Sequence, residues 1–135
     1  MPITLDVVDS KRFVYARATG VLTLADNLSA FYALSVDPQF EAGFSQLCDF
    51  RDITEARLGE SELREFVTLE QGSLDLLSGA RIALVAPEAF SFGLARMWEI
   101  LADRMPFETH VFRSLGEAVA WLGLSESDLP PSCPL

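Results

Sequence analysis

Basic side chains, histidine, cysteine and long apolar runs are all scarce in this chain, and each scarcity removes a class of function. Ten lysines and arginines stand against twenty aspartates and glutamates, a net charge of −10. The acids are spread along the chain, so the surface as a whole repels phosphodiester backbones and anionic lipid headgroups. Lys11-Arg12 is the only adjacent basic pair, and neither nucleic acid nor membrane is expected as a partner. One histidine, His110, and two distant cysteines, Cys48 and Cys133, cannot supply a tetrahedral metal site or a disulfide framework. Both thiols are expected to be free, Cys48 as a small core residue, and His110 falls inside an apolar strand. No G-x-S-x-G elbow, G-x-G-x-x-G loop or G-x-x-x-x-G-K-[ST] loop occurs. No catalytic constellation and no cofactor are therefore implied. Apolar runs stay well short of the roughly 20 residues a membrane-spanning helix needs. The start, Met1-Pro-Ile-Thr-Leu-Asp6, lacks the charged and apolar regions of a signal peptide, so a soluble cytoplasmic protein is expected.

What is present is a repeated strand-then-helix pattern on a chain of single-domain length. Ile3 to Val8 and Phe13 to Thr19 read as strands of a hairpin around the polar turn Asp9-Ser10-Lys11-Arg12. Thr23 is a good N-cap, with Asp26 at the third helical position, for a helix running to about Val36. Its expected buried stripe is Leu24, Leu28, Phe31, Tyr32 and Val36, and Asp37-Pro38 stops it. Phe44 to Phe50 reads as a central strand, with Asp49, Arg51 and Asp52 at its carboxyl end. From Ser61 a second helix aligns Leu63, Phe66, Val67 and Leu74, with Glu70 on the same arc and a break expected near Gly72.

Gly79 ends that segment and Arg81 to Ala86 is a strand apolar enough for burial on both faces. A long helix after Pro87 aligns Phe90, Leu94, Met97, Trp98, Leu101 and Met105, and Pro106 closes it. Phe107 to Phe112 and a helix from Ser114 to Leu122 follow. Ser114 and Glu117 form an S-x-x-E capping box, Leu115, Ala118, Val119 and Leu122 make the buried stripe, and Gly123 ends it. The order ββαβαβαβα predicts an α/β fold: one domain, a mixed five-stranded sheet made of a hairpin and three right-handed crossover units, covered by about four helices. Residues 1–123 form this domain, and residues 124–135, with Pro130, Pro131 and Pro134, read as an irregular tail.

Several segments taken together resemble one family. They are Ala18-Thr-Gly-Val-Leu-Thr23, the Asp37-Pro-Gln-Phe40 corner, Leu47-Cys-Asp-Phe-Arg-Asp52, Arg81-Ile-Ala-Leu-Val-Ala86 with Gly93-Leu-Ala-Arg-Met97, and Val111-Phe-Arg-Ser-Leu-Gly-Glu-Ala-Val-Ala-Trp-Leu122. In order and spacing they are similar to the SpoIIAA-like group of STAS-related proteins over roughly residues 1 to 123. The resemblance implies a compact α/β fold shared with anti-sigma-factor antagonists and, more distantly, with lipid-binding domains of the CRAL-TRIO type, among mostly bacterial proteins without a settled function. The antagonists carry an Asp-Ser-Ser-Gly-type phosphorylation signature. Here the corresponding stretch is Arg51-Asp-Ile-Thr-Glu-Ala-Arg-Leu-Gly-Glu-Ser-Glu-Leu63, and the signature is absent. Thr54 and Ser61 are the nearest hydroxyls. Ser61 either hosts a phosphate at a helix start, against the repulsion of Glu60 and Glu62, or is a plain N-cap.

Ligands of open α/β sheets favour the carboxyl ends of parallel strands. That edge is expected to gather Asp49, Arg51 and Asp52 with Pro87, Glu88, Phe90 and Phe92. Arg51 would contact an anion and Phe92 would form an apolar wall; otherwise Arg51 and Asp52 make ordinary surface ion pairs. Helical spacing sets Phe92 beside Arg96, Glu99 and Asp103, either exposed or folded over an adjoining loop. Glu70 is either a carboxylate with a raised pKa or is turned to solvent by the bend at Gly72. Two functions fit: a non-enzymatic regulatory module that binds a protein partner, or a carrier of a small apolar or lipid-like molecule. The carrier needs a cavity between the aromatic helices Leu24 to Val36 and Phe90 to Met105, which close packing would otherwise consume. A homodimer is the commonest closed assembly, although no residue pattern specifies one.

Overall fold

A computed structural model describes residues 3–72 and 74–135, Leu74 by its backbone, so the expected place of the Leu74 side chain lies outside the described residues. The polar quartet after β1 (Ile3–Val8) forms a 3-10 turn, Asp9–Lys11, closed by Arg12 in the left-handed region. The chain then returns antiparallel as β2 (Phe13–Thr23), four residues longer than the alternation of side chains suggests. Thr23 caps α1 (Leu24–Ser35) as expected: its hydroxyl accepts from the Asp26 amide at 3.2 Å, and the Asp26 carboxylate accepts from the Thr23 amide.

The following strand, β3 (Ser45–Arg57), also overruns its expected end at Phe50. It pairs parallel to β2 with two register shifts, between Arg17 and Thr19 and between Gly20 and Val21, each of which leaves one extra residue in β3. Such bulges re-aim side chains and interrupt the period of two on which a strand is recognised. Arg51, Asp52 and Thr54 thus lie within a strand.

The second helix is broken at Gly72 as expected, giving α2 (Glu60–Gln71) and a single turn α3 (Leu74–Leu77), so that the described residues hold five α-helices where about four were expected. Gly59, not Ser61, precedes α2; the Glu62 carboxylate accepts from the Gly59 amide at 3.3 Å. Then come β4 (Arg81–Val85), α4 (Ala89–Leu101), β5 (Glu108–Phe112) and α5 (Leu115–Trp121). The sheet is five-stranded and mixed, in the order β1-β2-β3-β4-β5, with only β1 antiparallel. Crossovers of one hand between sequentially ordered strands place their helices on one face, and α1, α2 and α4 all pack there, against Ile82 and Leu84. The alternate residues Phe13, Tyr15, Leu47, Ala83 and Val85 face the other side and pack against Ala118 and Val119 of α5 and Cys133.

Two helices depart from their expected stripes near one end, while Phe31 of α1 and Leu94, Met97, Trp98 and Leu101 of α4 pack in the core as expected. In α1 the buried residue is Leu34, whereas Tyr32 is 69% exposed and Val36 is also exposed. In α4 the buried line is Ser91, Ala95 and Trp98, continued by Ala102 beyond its end, while Phe90 is 44% exposed. The small residues Ser91, Ala95 and Ala102 take up little of the packed side, which leaves room there for Trp98. The segment read as a tail lies over the α5 face. Leu124 and Leu129 pack there, Lys11 pairs with Asp128 at 3.4 Å, and the Ser132 hydroxyl donates to Asp6.

Candidate functional site

The sheet face under α1, α2 and α4 is not fully closed. A cavity of ≈ 120 Å³ lies between them, and an engineered apolar cavity of about 150 Å³ is large enough to bind benzene. Its floor includes Ala16 and Ala18 of β2, whose small side chains leave the space, with Cys48 and Phe50 of β3. Leu24, Asn27 and Phe31 of α1, Leu63, Phe66 and Glu70 of α2, and Ser91, Leu94 and Trp98 of α4 form the walls. Phe31 and Phe66 meet edge to face at 6.0 Å across the α1–α2 seam. The expectation of a cavity between the aromatic helices is met by the first of them and by Trp98, while Phe90 points away.

Polar groups are few on this surface and most are already engaged. Asn27 donates its side-chain amide to the Thr23 carbonyl at 3.0 Å, and the Ser91 hydroxyl donates to the Glu88 carbonyl at 3.1 Å. Glu70 differs. Its residue is 3% exposed, and its Oε1 accepts from the Trp98 indole N–H at 2.9 Å. That indole is held in turn by stacking on Phe107, 6.1 Å between centroids. No sealed side-chain polar atom among the described residues lacks a partner, so Oε2, which makes no hydrogen bond there, keeps accessible area on a residue that lines the cavity. Burial raises the Glu70 carboxyl from 4.5 to about 7, against the lowering effect of the Trp98 N–H. Of the two readings of Glu70, the buried carboxyl with a raised pKa holds. Cys48 is half-buried and lines the cavity, and burial, then Glu70, push its thiol up to about 12.

On the opposite face a second polar cluster is closed. Tyr15 donates to Asp49 at 2.5 Å, and Arg51 donates to both carboxylate oxygens, at 2.9 and 2.8 Å. Asp49 is 1% exposed. Burial alone would raise its carboxyl, but the hydrogen bonds from Arg51 and Tyr15 outweigh that and hold it below the usual range. Burial, then the bond to Asp49, raises the Tyr15 hydroxyl. Arg51 also donates to the Pro134 carbonyl, so its cation is spent inside the protein.

No family model matches the chain, and no curated protein matches it in sequence. Among solved structures, an uncharacterized protein of the DUF3478 family with a SpoIIAA-like fold, from Shewanella loihica PV-4, is similar to it at a TM-score of 0.56 and 15% identity, over 89% of this chain and 91% of that one. The fold is SpoIIAA-like. Within the SpoIIAA-like sheet, the residues expected at one strand edge separate. Arg51 faces α5 and the C-terminal segment, Asp52 pairs with Arg17 at 2.7 Å, and Arg96 pairs with Glu99. Phe92 packs with the helix-side core instead of standing exposed, and the cation over its ring, at 4.0 Å, is Arg113, which also donates to the Pro87 carbonyl. Glu88 and Phe90 are left exposed at the start of α4. Thr54 is an exposed strand residue, and Ser61, in the first turn of α2, is no N-cap; its hydroxyl donates to Glu62 at 2.8 Å.

In this SpoIIAA-like arrangement the sequence reading missed Arg113, because its role depends on how the β5–α5 turn meets α4. It also missed that Trp98 contacts Glu70: each was visible on its own helix, but the contact needs the packing of α2 on α4. No helix is long and apolar enough to cross a membrane among the described residues.

Proposed function

We propose that the protein is a non-enzymatic binding module that holds a small, largely apolar molecule in the cavity beneath α1, α2 and α4. The observation that carries this is a space of ≈ 120 Å³ in the layer where close packing is the rule, lined mostly by aromatic and aliphatic side chains, with Gln46 and the Glu70 carboxyl among its few polar groups. This geometry favours the carrier or sensor over the protein-partner module. The anion contact proposed for a partner, Arg51, is bound to Asp49 and Pro134, which leaves Glu88 and the exposed Phe90 as that reading's only anchors.

The test is native mass spectrometry of gently purified protein, followed by a thermal-shift titration with toluene. Added mass, or stabilisation by toluene, is expected in the wild type. Both are expected to vanish in Ala95→Leu, which adds bulk to the α4 wall. Bare protein with no response to toluene overturns the reading, as does a response that Ala95→Leu leaves unchanged.

A further inference from the structure

Buried carboxylates are ordinarily matched by a cation or by several donors, since ionised groups are costly to remove from water. Asp49 on the α5 face shows the ordinary solution, with a guanidinium and a tyrosine on its oxygens. Glu70 has neither. Only the neutral indole of Trp98 reaches it among the described residues. No lysine, arginine or histidine lines the cavity. Of the elements packed around α2, α1 contributes the uncharged Asn27 and Phe31, α4 contributes Ser91 and Trp98, and β3 contributes the uncharged Gln46, Phe50 and the neutral thiol of Cys48. Among the described residues, then, no cation meets Glu70.

We infer that the cavity selects small apolar amines, whose ammonium group sits on Glu70 Oε2 and whose hydrocarbon part fills the space between Ala18, Phe31 and Phe66. This rests on the cavity reading above. Three features favour an amine over a neutral or acidic molecule of the same shape. The open carboxyl oxygen can accept a charge-assisted hydrogen bond, roughly twice as strong as a neutral one. The rings of Phe31, Phe50, Phe66 and Trp98 line the space, and an aromatic face attracts a cation in an apolar site. A chain of net charge −10 draws cations towards itself and disfavours carboxylates.

The experiment is a calorimetric titration of the full-length protein with four probes of nearly equal size: benzylamine, benzyl alcohol, toluene and benzoate. At pH 8, benzylamine is expected to bind at least about tenfold more tightly than benzyl alcohol, with benzoate weakest. In Glu70→Gln, which keeps the shape, the amine preference should vanish while benzyl alcohol and toluene still bind. In the wild type, which needs no variant to fold, benzylamine affinity should rise between pH 6 and 8 as Glu70 ionises. Benzyl alcohol should show no such rise, because it forms no ion pair. Equal binding of amine and alcohol at pH 8, or an amine preference that survives in Glu70→Gln, overturns the amine inference while leaving the cavity reading intact. Failure of all four probes, toluene included, overturns both.

Discussion

At the scale of single residues, Glu70 and Asp49 are two buried carboxyls with opposite electrostatic fates. The folded Glu70 binds its proton more tightly than the unfolded chain does, because its pKa stands near 7 against 4.5. Stability from this group is therefore full below about pH 4.5 and falls as pH rises through 7, by about 3 kcal/mol in total. Thermal midpoints measured from pH 5 to 8 should fall in the wild type relative to Glu70→Gln, whose curve lacks this component; parallel curves would refute the assignment. Asp49 is held ionised by Arg51, so Arg51→Met strands a buried charge and should cost about 3–5 kcal/mol in a urea titration. Glu70 was legible as a carboxylate on an apolar arc of α2, since helical spacing alone put it there. Its partner was not, because Trp98 reads as ordinary core until α4 is placed against α2. Arg51 was legible as a charge after an apolar run, but not as an internal ligand of Asp49: two bulges carry the strand past the point where alternation fails.

Among the elements, the strands and helices follow from hydrophobic period, caps and glycine punctuation, as Thr23 at α1 and the break at Gly72 show. Which residue at each turn is most deeply buried follows less well. Periodicity weights large side chains, whereas the buried line of α4 includes the small Ser91 and Ala95. Gly20, at φ +71°, sits beside a register shift of the β2–β3 ladder in a conformation L side chains rarely adopt. Gly20→Ala should cost about 1 kcal/mol, read from chemical denaturation, although there is space for the added methyl. The segment after α5 is the element least visible in the sequence, since three prolines and no period suggest a loose end. Yet Cys133 is buried, and Arg51 and Lys11 hold the segment at two points. Removing residues 124–135 should lower stability by roughly 2–4 kcal/mol and raise binding of an apolar dye to the uncovered Phe13–Tyr15–Leu47 face; unchanged stability would show the segment to be ornamental.

For the whole molecule, the likeness to the Shewanella loihica protein at 15% identity shows that the SpoIIAA-like fold follows from the order and faces of its elements more than from particular residues. The cavity is a different matter, since it arises from small side chains on the floor, Ala16 and Ala18, which a binary pattern counts simply as apolar. An unfilled interior space also has a mechanical consequence. The ≈ 120 Å³ between the helices and the sheet is imperfectly packed volume that unfolding removes, and the shrinkage of proteins on unfolding scales with such volume without equalling it. Hydrostatic pressure should therefore unfold this protein more readily than a fully packed domain of its size, and a guest molecule in the void should restore its resistance to compression.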